Sequence, residues 1–190
     1  MKKLLLISLL LVMVFGSSSV YAAEKVLLGA GNLAFKVDYI NFVDKDMEDL
    51  DTDSGAYFGI ETYGHVTDAL QNLYVGVEVG ITNIDGKVSG TDTELTFVPI
   101  ELNLKYALKI TPEMIIDIGA GPSINYGKVE VASFSDDDWM LGGQAFVDLN
   151  YKLYQFFVGI NAKYQIMEDF KDSDLMFRNW RVGGQVGIMF

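Results

Sequence analysis

Carboxylates are the most numerous chemically active side chains in this 190-residue chain, with 26 Asp and Glu against 14 Lys and Arg. The net charge of −12 argues against nucleic acid as a partner, because a phosphate-binding face needs clustered Lys and Arg. The sequence has no Cys, which excludes a disulfide framework, a thiolate zinc site and a Cys nucleophile. The single His leaves no room for a His-rich metal centre, and no cofactor is expected.

One acidic run is spaced partly like a cation-binding loop. Asp49, Asp51 and Asp53 stand at the first three ligand spacings of a calcium loop. Ser54 occupies the position where that motif requires Gly, and Ile60 the position of its bidentate Glu. The run is therefore not an EF-hand. The three aspartates are weak candidates for a divalent-cation site, and the alternative is a solvated acidic loop.

Apolar and polar residues alternate with period two in eight segments, which predicts eight half-buried β-strands. The segments cover residues 33–39, 58–63, 73–82, 98–106, 114–121, 144–151, 156–165 and 180–190. The first, third, fifth and seventh segments begin about 40 residues apart, so the sequence predicts four long hairpins in succession. No apolar stretch of the length of a transmembrane helix follows residue 22.

The connections between these segments alternate in length. Short ones at 65–72, 108–112 and 152–155 alternate with long polar ones, where the acidic residues concentrate, including Asp136, Asp137 and Asp138. Short turns at one end and long loops at the other are typical of a transmembrane barrel with periplasmic turns and extracellular loops. We therefore predict an all-β, eight-stranded antiparallel up-and-down transmembrane barrel over residues 23–190.

The apolar face of the alternating segments carries aromatic residues at both ends. Those near the short turns are Tyr106, Tyr151, Phe156 and Phe190, and those near the long loops are Tyr39, Tyr164 and Trp180. Two aromatic belts match the two interfaces of a membrane. A soluble lipocalin-like barrel, the rival interpretation, has an apolar interior and no reason for such belts.

The N-terminal segment is typical of a secretory signal peptide. Lys2 and Lys3 precede an apolar run over residues 4–15, which is short for a membrane-spanning helix. Val20 and Ala22 are small enough for a cleavage site, so we predict a signal peptide over 1–22 that is cleaved after Ala22. The mature chain then reaches the outer membrane of a Gram-negative bacterium.

The barrel segments also resemble a known family. The stretches 59–64 (GIETYG), 98–103 (VPIELN) and 119–122 (GAGP), with the amphipathic last segment ending at Phe190, resemble the small eight-stranded outer-membrane β-barrels of the OmpA-like and OmpX-like type. The resemblance covers the whole predicted mature chain, and its motifs indicate fold rather than activity. It implies that Phe190 is part of the signal read by the barrel assembly machinery.

The polar face of the alternating segments predicts a charged lumen. The inward charges are Lys36, Asp38, Glu61, Glu78, Glu101, Lys105, Asp117, Asp148, Lys163 and Arg181. Lys163 and Arg181 lie symmetrically about the last loop and should be neighbours, so carboxylates must reach them across the lumen. We predict ion pairs that plug the barrel. The two interpretations left open are a static polar core and an ion gate.

Function follows from these features only in outline. We predict a membrane-embedded structural or interaction scaffold with acidic extracellular loops, in contact with outer-membrane lipids and lipopolysaccharide, with divalent cations bridging the acidic loops. A narrow, porin-like ion or small-solute channel is the alternative. A lipid A-modifying enzyme is less favoured, because the only His, His65, falls in a short turn without an expected lipid-facing pocket. We predict that the protein is not an enzyme.

Overall fold

The computed structural model describes residues 27–67, 70, 72–88, 90–132, 134–170 and 176–190, which form one closed β-barrel. Its strands are β1 (Gly31–Phe42), β2 (Ser54–His65), β3 (Leu73–Val88), β4 (Thr91–Lys109), β5 (Met114–Val131), β6 (Phe134–Leu153), β7 (Phe156–Met167) and β8 (Asn179–Met189), with a short helix α1 (Lys45–Asp49). Each strand pairs with the next in antiparallel register, and β1 pairs with β8. The predicted eight-stranded antiparallel barrel is confirmed. The predicted signal peptide lies outside the described residues.

The two faces of each strand are divided as the alternation predicted. On β1, Leu33 and Phe35 are each 44% exposed on the outside, whereas Ala34 and Lys36 are buried inside. This division follows from strand geometry, because successive side chains point to opposite faces of a sheet. An apolar outer face and a polar inner face suit a barrel that is surrounded by lipid. Among the described residues, no helix is long and apolar enough to cross a membrane.

The lengths of the strands differ from the prediction. The connections 66–72, 110–113 and 154–155 mark what we call the turn end of the barrel, and the opposite end is the loop end. Strands β3 to β6 have 16, 19, 18 and 20 residues and extend further at the loop end. Strands β1, β2 and β7 have 12 residues each, and β8 has 11. The prediction of long loops after the third and fifth strands is wrong. Only residues 89–90 and 132–133 separate those strands, and Asp136, Asp137 and Asp138 lie on β6.

The physical reason is an inversion of the alternation at the loop end. Beyond Thr82 on β3, Ile84 is buried inside while Asp85 and Lys87 are exposed outside. A strand that has left the lipid needs a polar outer face and an apolar inner one, as in a soluble protein. Gly90 adopts a positive φ of 85°, which a tight hairpin turn requires, and it joins the two extended strands β3 and β4.

Two apolar clusters fill the ends of the lumen. The loop-end cluster contains Ile40, Phe42, Met47, Tyr57, Ile84, Leu95, Phe97, Val129, Met140, Met167, Phe170 and Phe177. The turn-end cluster contains Leu28, Tyr63, Tyr74, Ala107, Ile115 and Phe146. Between them lie the buried charged residues, so the interior is built as three layers along the barrel axis.

Candidate functional site

The ten charged residues predicted to line the lumen lie between the two apolar clusters, and none is more than 5% exposed. We call them the charged layer. Its members are Lys36 and Asp38 on β1, Glu61 on β2, Glu78 on β3, Glu101 and Lys105 on β4, Asp117 on β5, Asp148 on β6, Lys163 on β7 and Arg181 on β8. Every strand contributes to this layer, because the barrel brings one face of all eight strands to its axis.

Glu78 is the most heavily paired acid of the charged layer. Its Oε2 lies 2.7 Å from the ammonium of Lys163 and 3.2 Å from that of Lys36. Its Oε1 lies 3.5 Å from the guanidinium of Arg181 and accepts a hydrogen bond from the Tyr57 hydroxyl at 2.8 Å. Three cations from three strands therefore converge on one buried carboxylate, which links opposite walls of the barrel.

Glu101 completes the neutralisation of the two adjacent cations. Lys163 and Arg181 are register partners on β7 and β8, as their symmetry about the last loop predicted. The Glu101 carboxylate forms ion pairs with both of them, one through each oxygen. The Arg181 guanidinium also stacks over the ring of Tyr57 at 4.3 Å, a favourable cation–π arrangement. These contacts offset the repulsion between the two cations.

The part of the charged layer nearer the turn end is paired more loosely. Lys36 lies 2.7 Å from Glu61, whereas Lys105 lies 3.8 Å from Glu61 and 3.6 Å from Asp117. The Lys105 ammonium sits 3.7 Å from the centre of the Tyr63 ring. Lys105 thus gains from an aromatic face part of the stabilisation that a closer carboxylate would supply.

Tyr57 is a residue of this site that the sequence interpretation missed. The alternation predicted for the second strand began at Phe58 and included Tyr63 on the inward face. Extension of that alternation by one residue assigns Tyr57 to the lumen. The side chain fits because residue 80 on the facing strand is Gly, and a Cβ at Gly80 would collide with the Tyr57 ring.

The cap over the charged layer at the loop end was also not predicted. Met47 on α1 and Phe177 in the connection before β8 are fully buried inside the mouth of the barrel. The Phe177 ring packs at 5.8 Å from Phe97 and 5.7 Å from Phe42, and Phe170 lies 5.3 Å from it. Polar connections therefore fold inward through a few apolar side chains, and no sequence periodicity marks those residues.

The only His lies at the turn end, away from the charged layer. His65 is the last residue of β2, and its Nε2 is 3.2 Å from the backbone oxygen of Leu70. The imidazole packs edge-on against Tyr74 at 5.6 Å. Tyr74 accepts a hydrogen bond from the Leu28 backbone N–H at 2.9 Å. These contacts tie the chain before β1 into the turn end of the barrel.

The three candidate calcium ligands do not converge. Asp49 is an exposed residue of α1. Asp51 accepts the backbone N–H of Lys87 at 3.3 Å, and Asp53 accepts the Asn41 side-chain amide at 3.2 Å. Within the described ranges, no group of three or more acids or histidines is arranged to hold a metal ion. In the structure, Asp51 and Asp53 bind the loop to neighbouring strands.

Acidic residues form a row on the outer surface of the extended strands. Asp85 and Glu94 are register partners across β3 and β4, and Glu94 and Glu130 across β4 and β5. Lys128 lies 2.9 Å from Glu130. Their hydrogen bond raises the pKa of the Lys128 ammonium and lowers the pKa of the Glu130 carboxyl from their ordinary values. Part of the acidic surface at the loop end therefore lies on strands, while other acids, such as Glu48 and Asp49, lie in the connection between β1 and β2.

Phe190, the predicted assembly signal, lies at the turn end of the closed barrel. Its backbone N–H donates to the Gly31 oxygen at 2.9 Å, and its oxygen accepts from the Gly31 N–H at 2.9 Å. Its ring is 65% exposed on the outer side. The residue closes the seam between β1 and β8.

A closed antiparallel barrel with an apolar, aromatic-edged outer face and a polar interior defines the class of transmembrane β-barrels. The sequence model of the outer membrane protein beta-barrel domain family matches residues 7–190. The chain belongs to that family, and its location is the outer membrane. No curated protein matches the sequence.

Several solved structures share the fold. Neisserial surface protein A aligns with a TM-score of 0.64 at 13% identity, over 85% of this chain and 98% of that chain. The N-terminal β-barrel domain of Pseudomonas aeruginosa OprF aligns at 0.54 with 13% identity, over 84% and 97%. Ail, the attachment invasion locus protein of Yersinia pestis, aligns at 0.51 with 10% identity, over 84% and 99%. At these identities the likeness concerns the fold alone.

Proposed function

We propose that the protein is a closed outer-membrane scaffold, whose extended strands β3 to β6 present an acidic surface outside the cell. The observation that supports this proposal is the order of the buried side chains along the lumen. The charged layer lies between two apolar clusters, and both clusters contain fully buried aromatic side chains. A conducting pore needs a continuous polar path, and apolar constrictions oppose one.

Opening such a lumen would be costly at two levels. Passage of an ion requires Met47 and Phe177 to leave the mouth, which exposes apolar surface to water. It also requires the ion pairs around Glu78 to separate, which leaves buried charges without partners. These costs support a static polar core over an ion gate.

The remaining parts of the proposal concern the route to the membrane and the partners. A cleaved signal peptide over 1–22 would direct export in a Gram-negative cell, and the assembly machinery would read Phe190. Lipids and lipopolysaccharide would surround the apolar face, with divalent cations bridging lipopolysaccharide to the acidic surface. The protein would act by binding rather than by catalysis, because His65 packs on Tyr74 at the turn end.

Single-channel recording in planar bilayers tests the closed lumen. Protein that is shown to be folded, by a different gel migration without boiling, should give no steady openings. Arg181→Ala removes a central cation and serves as the variant most expected to open the layer. Steady wild-type openings that change in Arg181→Ala would overturn the scaffold and support the narrow channel.

Catalysis is tested separately by the mass of lipid A from cells that overexpress the protein. We expect no change in that mass. A change that disappears in His65→Ala would overturn the proposal in favour of a lipid A-modifying enzyme.

A further inference from the structure

Two carboxylates of the charged layer face each other directly. Asp117 on β5 and Asp148 on β6 are register partners, and both side chains are buried inside the barrel. Register partners on one face of an antiparallel pair have Cβ atoms about 4.5–5.5 Å apart. Two ionised carboxylates on side chains that start this close together, away from water, repel each other strongly.

Asp148 has little to compensate its charge. The nearest ammonium, that of Lys36, lies 4.0 Å from its Oδ1. The same ammonium is closer to Glu61, at 2.7 Å, and to Glu78, at 3.2 Å. Neither oxygen of Asp148 accepts a hydrogen bond from a described residue. An ionised carboxylate at this position would therefore be both buried and poorly paired.

Asp117 is only partly compensated. Its Oδ2 accepts the Asn150 side-chain amide at 2.8 Å and lies 3.6 Å from Lys105. Its Oδ1 has no hydrogen-bond partner among the described residues. The two unpartnered sides of Asp117 and Asp148 thus belong to register neighbours, which is the arrangement in which one carboxyl can donate to the other.

The charges of the layer do not balance. With all groups ionised, its six acids and four bases leave two uncompensated negative charges. The other titratable side chains buried in the lumen are Lys36, Asp38, Tyr57, Glu61, Tyr63, Tyr74, Glu78, Glu101, Lys105, Lys163 and Arg181. Asp38 has no ion pair to a described residue, but its Oδ1 accepts a hydrogen bond from the Asn161 side-chain amide at 2.8 Å.

We propose that Asp117 and Asp148 form a proton-binding pair that holds one proton between them at neutral pH. The proton converts one carboxyl into a hydrogen-bond donor for its neighbour and removes one of the two excess negative charges. Loss of this proton in alkaline solution restores the repulsion inside the charged layer. The pair thereby links the stability of the barrel to pH, whether or not the lumen conducts.

Infrared spectroscopy of the folded protein tests the proposal directly. At neutral pH the wild type should show the carbonyl stretch of a protonated carboxylic acid, and both Asp117→Asn and Asp148→Asn should lack it. Asp38→Asn is the matched control and should retain the band. Absence of the band from the wild type, or its loss in Asp38→Asn alone, would overturn the proposal.

The pH dependence of unfolding is the second measurement. Above about pH 4, unfolded Asp has lost its proton while the folded pair keeps one, so the free energy of unfolding should fall as pH rises until the pair ionises. Asp148→Asn should lower the number of protons released on unfolding by about one, because the amide replaces the protonated carboxyl. The proposal would be contradicted if Asp117→Asn and Asp148→Asn both kept the wild-type slope of the free energy of unfolding against pH while Asp38→Asn changed it.

Discussion

The charged layer and the loop-end cluster occupy the same lumen and are stabilised by different interactions. Around Glu78, one carboxylate receives Lys163 at 2.7 Å and Lys36 at 3.2 Å, and each group needs its partner because burial has removed its water. In the loop-end cluster, Met47 and Phe177 pack by apolar contacts, which need no counter-charge. Loss of one charge leaves others uncompensated, whereas loss of an apolar group leaves a cavity that neighbours can partly refill.

We expect the charged layer to be the more rigid of these two regions and the loop-end cluster to be the more adaptable. Ion pairs between strands depend on the register of the whole barrel, so they hold the wall positions together. The apolar cap is carried by α1 and by the connection before β8, neither of which belongs to the strand ladders. We therefore expect the charged layer to dominate stability and the cap to govern access from the loop end.

Removal of the central acid should have the largest effect. Glu78→Gln leaves Lys36, Lys163 and Arg181 short of a counter-charge and should lower the free energy of unfolding by about 3–5 kcal/mol. Urea unfolding of the protein refolded into lipid vesicles measures this. Glu94→Gln, on the exposed face of β4, is the control. Equal midpoints for the two variants would mean that the charged layer contributes no special stability.

Truncation in the cap should have a smaller effect. Met47→Ala removes a fully buried side chain from the loop-end cluster and should lower the free energy of unfolding by about 2 kcal/mol. Protease cleavage after the first strand should become faster, because α1 loses its anchor. Glu48→Ala, exposed on the same helix, is the matched control. Resistance equal to the control would show that α1 is held by other contacts.

A substitution of Tyr57, at the boundary between the loop-end cluster and the charged layer, tests whether the two regions are linked. Tyr57 belongs to the loop-end cluster and donates to Glu78, so Tyr57→Phe removes one hydrogen bond to a charged group but keeps the ring. We expect a loss of about 1.5 kcal/mol in the free energy of unfolding. The loss should disappear in the background of Glu78→Ala. Full additivity of the two substitutions would contradict a direct link between the two regions.

The smallest effect is expected on the outer surface. Lys128→Ala breaks an ion pair with Glu130 that solvent reaches, so the free energy of unfolding should not change measurably. The same urea titration compares it with Glu78→Gln. A loss comparable to that of Glu78→Gln would mean that burial is not what makes the charged layer sensitive.

Period-two alternation predicted the part of the fold that local geometry controls. Leu33 outside and Lys36 inside follow from the pleat of one strand, and so does the inward placement of Glu101 and Arg181. The loop-end extension was missed at Ile84, where the apolar face changes from the outside to the inside. A single rule for the apolar face fails there, because the surroundings of the strand change from lipid to water.

The cap and the individual ion pairs could not be predicted from the sequence, for a different reason. Met47 and Phe170 are single apolar residues among charged ones, and Phe177 ends the short apolar run 175–177. Nothing near these residues in the chain shows which cavity they occupy. Their partners, such as Phe97, come from distant strands. Packing of this kind depends on how the connections fold over a mouth whose width the closed barrel determines.

The sequence by itself determined the number of strands and the face on which each side chain lies, because alternation is a property of the extended backbone. Only the tertiary structure decided that Glu78 meets three cations and that Asp117 faces Asp148. Those contacts depend on strand register and on closure between β1 and β8, and both are set by the barrel as a whole.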